Sequence, residues 1–383
     1  MKTCKDIFTI IEKSEKEYVN FWEEFCNIES PTDYKEGVDA SGNYIIQKAM
    51  QYGWQIERQP QSISGNCICI TMNPEAKKSP VCLSGHLDTV HPVGLFGTPA
   101  VTFANGNIYG PGVADCKGGI VAAFMAMAAL EAVDFRDRPV KLILQSDEET
   151  SSAGSSQTTI KYMCECAKDA VAFLNCEPTG AGTFVLQRKG IAKYTFDITG
   201  KAAHAAACYN GVSAIAEAAH KILALEQYKD IHGITANCGI ISGGTKINTV
   251  PEKCTVQVDF RFSNEKELSE VHQIAQTIAD TSYITDTTCK LTLESLRDAM
   301  ELTDTNIRLL QDVNTIFAAN QLPQLTMRIA GGGSDAAYTT KCGIPTLDSV
   351  GVECDHIHSR NESSPVRSLT EAAKRIAAIC YCI

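Results

Sequence analysis

The sequence predicts an α/β fold: a mostly parallel sheet covered by helices, with a second module inserted into it. Three observations carry this. Apolar runs of strand length alternate with helical patterns through the first ~180 residues. Residues 118–133 (GGIVAAFMAMAALEAV) are apolar nearly all round, as in a helix buried on every side. From Arg188 the order changes to β-α-β-β-α-β over ~110 residues, the pattern of a split-βαβ (ferredoxin-like) sandwich.

Taken in order, residues 5–27 and 37–53 read as helices, the second stopped by the breaker Gly53. The runs 67–72, 81–84 and 140–145 have the length and composition of buried strands. In the second module, 191–199 alternates as a strand and 211–227 is an Ala-rich helix. Strands at 236–241 and 255–262, a helix at 265–280 and a strand at 289–293 follow. The first pattern resumes with a helix from 302, a strand at 324–329, a Gly-rich turn, a strand at 345–349 and a last helix from 369. The expected division is one interrupted domain, 1–187 with 301–383, around an inserted domain, 188–300.

Composition bounds the function. Lys plus Arg is 34 against 45 Asp plus Glu, a net charge of −11 with no basic stripe, which disfavours a nucleic-acid binder. Hydrophobic content of 44% with 21% charged residues excludes global disorder. The 17 cysteines are odd in number and scattered: three C-x-C pairs (Cys67/Cys69, Cys164/Cys166, Cys380/Cys382) and no C-x-x-C, which gives a cysteine-built zinc site little support. Free thiols with no apolar leader before the acidic stretch at 12–17 point to a reducing cytoplasm. No apolar run is long enough for a membrane span.

Chemistry-bearing residues recur just after strands, where open α/β sheets collect ligands. The strand at 81–84 leads into Gly85-His86-Leu87-Asp88, whose extended H-x-D puts both side chains on one face. A Gly-rich loop around Asp115 (GPGVADCKGG) opens the buried helix. The strand at 140–145 leads into Asp147-Glu148-Glu149, and Glu177 follows another strand in the run Phe173-Leu174-Asn175-Cys176. His356 and His358 follow the strand at 345–349, and either could be a ligand. Each motif alone is matched by a surface turn or a helix cap. Together, five sheet-end loops deliver the His, Asp and Glu set of a two-metal hydrolytic site. No G-x-S-x-G elbow, Walker loop or G-x-G-x-x-G competes.

These motifs, with ITGKAAHAA, INTVP, DFRFSNE, GGGSDAAY and HSRNES in the same order over about residues 80–362, resemble the dinuclear-zinc peptidase and deacylase family. That family includes glutamate carboxypeptidase, acetylornithine deacetylase, succinyl-diaminopimelate desuccinylase and peptidase T. The resemblance implies a zinc-binding catalytic domain interrupted by a lid and dimerisation domain. It also implies two zinc ions per subunit, with cobalt or manganese accepted by the same ligands. His86, Asp115 and Glu177 would hold one ion and Glu149 and His358 the other, with Asp115 bridging. His358 is preferred to His356 because Ser359 follows it.

Asp88 would orient His86, and Glu148 would be the general base. By the same resemblance, His204 would reach the partner subunit's active site, and Asn248, Arg261 and the turn at Gly331 and Gly332 would hold a substrate carboxylate. Cys116, the Ala-Ala-Ala-Cys after His204 and Ser213 depart from the common pattern, and none removes a proposed ligand. GGGSDAAY with Arg261 is most similar to the glutamate carboxypeptidase branch. The expected activity is hydrolysis of a small peptide or N-acyl amide with a free α-carboxylate by a homodimer. A deacylase of the acetylornithine or succinyl-diaminopimelate type is the alternative, and a non-catalytic metal binder is disfavoured by an intact Glu148.

Overall fold

A computed structural model describes residues 2–180 and 182–383. In chain order the first part runs α1 (Cys4–Cys26), α2 (Lys35–Met50), β1 (Gln55–Gln59), β2 (Cys67–Met72), β3 (Val81–His86), β4 (Thr102–Ala104), β5 (Asn107–Tyr109) and α3 (Lys117–Ala132). Then come β6 (Val140–Gln145), α4 (Thr158–Cys166), β7 (Ala172–Asn175) and β8 (Thr183–Arg188). The middle part is β9 (Gly190–Thr199), α5 (Ala214–Leu225), β10 (Thr235–Gly243), β11 (Lys253–Phe262), α6 (Glu265–Asp280) and β12 (Thr288–Arg297). The last is α7 (Asp304–Ala319), β13 (Thr326–Ala330), α8 (Ala336–Lys341), β14 (Thr346–Leu347), β15 (Ser363–Pro365) and α9 (Arg367–Cys382). Two compact units result. One takes in the described residues up to Leu186 with Leu302–Ile329 and Ser334–Ile383; the other is Gln187–Glu301 with Ala330–Gly333.

The first unit is built on a six-stranded sheet in the order β1-β2-β6-β3-β7-β14. β6, β3, β7 and β14 are mutually parallel, and β1 and β2 join antiparallel at one edge. Parallel pairing aligns the strand ends: His86 lies opposite Gln145 and Ser84 opposite Asn175. The loops after β3, β6 and β7 therefore open side by side.

The helix α3 is buried from Lys117 to Leu130, as its all-round apolar pattern requires. Its first turn lies so close to the end of β7 that a Cβ on Gly119 would come within 1.9 Å of the Cys176 carbonyl, so only glycine fits. Lys117 enters the interior with its ammonium satisfied: it donates to the Ile28 carbonyl at 2.5 Å and to Ser41 Oγ at 3.2 Å, and sits 5.0 Å over the Phe25 ring. Trp22 of α1 donates to the Val113 carbonyl at 2.9 Å, which ties that helix to the Gly-rich loop.

The second unit is an antiparallel sheet, β10-β11-β9-β12, with α5 and α6 against it. β11 alternates buried residues with exposed or half-buried ones along its length. Val256, Val258, Phe260 and Phe262 meet Val271 and Ala275 of α6 in a core of their own.

Several elements differ from the sequence expectation. The second helix ends at Met50, before Gly53, and the strand expected at 289–293 runs on to Arg297. The strand expected at 345–349 is only Thr346–Leu347. All 17 cysteines are free thiols, nine of them buried. Among the described residues no helix is long and apolar enough to cross a membrane.

Candidate metal centre

Within the first unit, the sheet-end loops bring His86, Asp115, Glu149, Glu177 and His358 together. Asp115 stands at the centre. Its Oδ1 is 3.0 Å from His86 Nε2 and its Oδ2 is 3.1 Å from His358 Nε2. Glu177 Oε1 lies 3.5 Å from the same His86 nitrogen, and Glu149 Oε2 lies 3.3 Å from the same His358 nitrogen. One carboxylate thus faces two imidazoles, each with a further acid beside it.

His86 is held from behind. Its Nδ1 is 2.9 Å from the backbone carbonyl of Asp88 and 3.5 Å from the Asp88 carboxylate, so the H-x-D motif orients the ring chiefly through the main chain. The Asp88 carboxylate turns to the next loop: Glu148 and Glu149 each donate their N–H to it at 3.2 Å, and the Thr32 hydroxyl donates at 2.8 Å. Glu148 and Glu149 sit on a single 3₁₀ turn just past β6. Asp147 fastens that turn by accepting from Ser155 N and Thr159 Oγ1. The two histidines of the last loop do not share an extended face. Both have left-handed backbone (φ 56° and 59°), and it is His358 whose ring meets Asp115.

The electrostatics show a site with more negative charge than its own residues can offset. Burial, with the Asp115 charge adding, lifts Glu149 to about 8 and Glu177 to about 7, while His358 and His86 respectively pull them back. Hydrogen bonds to Asp115 and Glu149, which favour its protonated form, lift His358 to about 11 against its burial. Asp115 is held below the usual carboxylate range: its burial is outweighed by the His358 and His86 hydrogen bonds. Glu149 Oε1 is buried with no hydrogen-bond partner among the described residues. An orphaned carboxylate oxygen among crowded acids and imidazoles is what a divalent cation satisfies, so the donor set fits metal ions. Among the described residues, two overlapping groups have ligand-type atoms within 4.8 Å of one another: His86, Asp115 and Glu149, and His86, Cys116 and Glu177. The Cys116 thiol donates to the Cys176 carbonyl at 3.1 Å. The bond from Thr32 to Asp88 escaped the sequence reading, since Thr32 lies far upstream in a turn with no motif around it.

The other expected site residues lie in the second unit. His204 is exposed; its Nδ1 accepts from Ala206 N at 3.1 Å and caps the short 3₁₀ turn Ala205–Asn210. Asn248 is next to it, its carbonyl accepting from Ala205 N at 3.0 Å. Arg261 spends one edge of its guanidinium on Asp259 (2.6 and 3.1 Å) and donates through Nη1 to the Gly331 carbonyl at 3.3 Å. Gly331 and Gly332 are exposed.

The sequence profile described as peptidase family M20/M25/M40 matches residues 82–381. Carboxypeptidase G2 from Pseudomonas sp. (strain RS-16) is 27% identical over 344 residues, covering 88% of this chain and 82% of that protein. A succinyl-diaminopimelate desuccinylase from Wolinella succinogenes is 27% identical over 316 residues, 77% and 82% of the two chains. Among solved structures, a tripeptidase from Staphylococcus aureus superposes with a TM-score of 0.83 over 96% of this chain and 98% of that one, at 23% identity.

Proposed function

This chain belongs to peptidase family M20/M25/M40, and on that premise we propose that it cleaves the amide bond of a small peptide or N-acyl amino acid bearing a free α-carboxylate, in the manner of a glutamate carboxypeptidase. It is a hydrolytic enzyme of a metal-dependent family of peptidases and deacylases. The observation that carries the reading is the Asp115 carboxylate, with each oxygen turned to a different histidine and Glu177 and Glu149 beside them.

In this reading His86, Asp115 and Glu177 would hold one zinc ion, and Glu149 and His358, with Asp115, would hold a second. The same nitrogen and oxygen donors also accept cobalt or manganese. Two such cations, when bound, lower the pKa of a water and polarise the scissile carbonyl. The protein's own part is proton transfer and placement. Glu148 shares a 3₁₀ turn with Glu149 and takes the proton of the attacking water, then gives it to the leaving amine. Asp88 fixes that turn through the two backbone N–H groups it accepts. Arg261, Asn248 and the turn at Gly331 and Gly332 receive the substrate carboxylate, for which a planar guanidinium fork is suited. His204 is assigned to the active site of the partner in a homodimer, where it stabilises the developing oxyanion.

The carboxypeptidase reading is favoured by likeness to carboxypeptidase G2 over 88% of the chain. Likeness to a desuccinylase at the same identity supports the second reading, deacylation of an N-succinyl or N-acetyl amino acid. A panel of dipeptides, N-acyl glutamates, acetylornithine and succinyl-diaminopimelate, assayed with added zinc, cobalt or manganese, separates them by the product released. On the best substrate, Glu148→Gln is expected to keep both metals and lose at least about 100-fold in kcat. Full turnover by that variant would sink the proton-transfer role.

A further inference from the structure

Glu362 lies four residues after His358, yet its side chain reaches the other loop that supplies the centre. It is 1% exposed. Its Oε1 accepts the N–H of Ala114 at 3.0 Å and of Asp115 itself at 3.1 Å, and its Oε2 is 2.7 Å from His91 Nε2. His91 is also buried, its ring edge-on to Phe96 at 5.0 Å. The main chain around Glu362 reinforces the same junction. Gly110 donates to the Glu362 carbonyl, and β15 pairs with β5 immediately ahead of the Gly-rich loop. The loop holding His358 is closed at its base by mutual hydrogen bonds between Asp355 and Ser363.

We propose that Glu362, braced by His91, is a positioning residue that sets the separation of Asp115 and His358 and so builds the second metal position. The argument is one of geometry. Asp115 and His358 come from loops 243 residues apart in sequence, and their 3.1 Å approach depends on how those loops are registered. Two N–H groups on one carboxylate oxygen fix the backbone of Asp115 in direction as well as distance. The His91 contact removes the remaining freedom of the carboxylate, because a buried group held at both oxygens has one rotamer open to it. No other side chain among the described residues is shown bonded to the Asp115 N–H. This inference rests on the two-metal reading above.

The test measures zinc binding against a chromophoric chelator, with far-UV circular dichroism and the visible spectrum of the cobalt-substituted protein beside it. Wild type is expected to bind two zinc ions per chain. Glu362→Gln keeps an oxygen for the two N–H groups and is expected to bind both within about threefold of wild type. Glu362→Asp withdraws that oxygen by one methylene; its second zinc should bind at least about tenfold more weakly, with unchanged circular dichroism and an altered cobalt spectrum. Should the Asp variant not fold, His91→Phe removes the brace alone, and the same tenfold weakening of one ion is expected, on the order of other outer-shell losses. Two zinc ions at wild-type affinity in the Asp variant, or in His91→Phe where that stands in for it, overturn the inference while leaving the metal centre intact. Equal losses in the Gln and Asp variants also overturn it, since charge rather than placement would then matter. Fewer than two ions in wild type overturn the two-metal reading and this inference with it.

Discussion

Asp88 is wholly buried, and burial opposes its charge; hydrogen bonds from His86, Thr32 and the Glu149 N–H outweigh that and hold its carboxyl below the usual range. Both of its oxygens are occupied by the turn carrying Glu148 and Glu149. An amide in its place has one acceptor and one donor, so Asp88→Asn sets an N–H against an N–H and pushes that turn outward. The expected result is zinc affinity lower by about 10–100-fold with the fold retained, followed by competition titration and circular dichroism. Undiminished affinity would show that the main-chain carbonyl of Asp88 is all that His86 needs. At this scale the sequence was legible where a motif fixes a local shape, as in His86-Leu87-Asp88. It was opaque where a contact spans the chain. Nothing near Thr32 or Glu362 in sequence announces that one bonds to Asp88 and the other to Asp115. The choice of His358 over His356 depends on left-handed residues that periodicity cannot foresee.

Buried strands and the all-apolar α3 announced themselves because one environment surrounds the whole element. β1 (QIERQ) did not, being an exposed edge strand with one apolar residue. The early stop expected for β12 has a physical cause: a register shift between Leu293 and Ser295 breaks the period-two pattern there, although the strand continues. Helix ends carry chemistry of their own. Cys4 in the first turn of α1 and Cys382 in the last turn of α9 have sulfurs 3.4 Å apart. The Cys4 hydrogen bond, aided by the Asn320 amide and opposed by burial, lowers Cys382 to about 7. The thiolate therefore forms as pH rises through about 7, below the ~8.5 of an ordinary thiol. Peptide mass spectrometry after brief iodoacetamide treatment should give a half-maximal alkylation rate for Cys382 near pH 7, as its lowered value requires. Cys4→Ala should move that midpoint upward by about one unit. A midpoint that ignores Cys4 would mean the two helices do not hold the sulfurs together in solution.

The net charge of −11 sets a bound for the whole molecule but says little about the substrate, because several of the acids are turned inward around Asp115 and two dications would offset them locally. What composition could not supply, the order of motifs along the chain did, and residues 82–381 match one family throughout. On the reading proposed above, the working enzyme would be a homodimer in which His204 of one protomer serves the metal centre of the other. In the second unit His204 is exposed, with its Nδ1 already committed to Ala206 N, so its ring is fixed on a capped turn at the surface. This arrangement predicts complementation. His204→Ala and Glu148→Gln subunits should each be nearly inactive alone. When they are co-expressed, random pairing puts about half the chains into mixed dimers, each with one complete site: Glu148 from one protomer and His204 from the other. Turnover should then recover to about a quarter of wild type, with sedimentation velocity showing a dimer throughout. If His204 instead acted within its own chain, every subunit in the mixture would lack one of the two groups. Activity would then stay at the level of the separate variants, and the assignment across the dimer would fall.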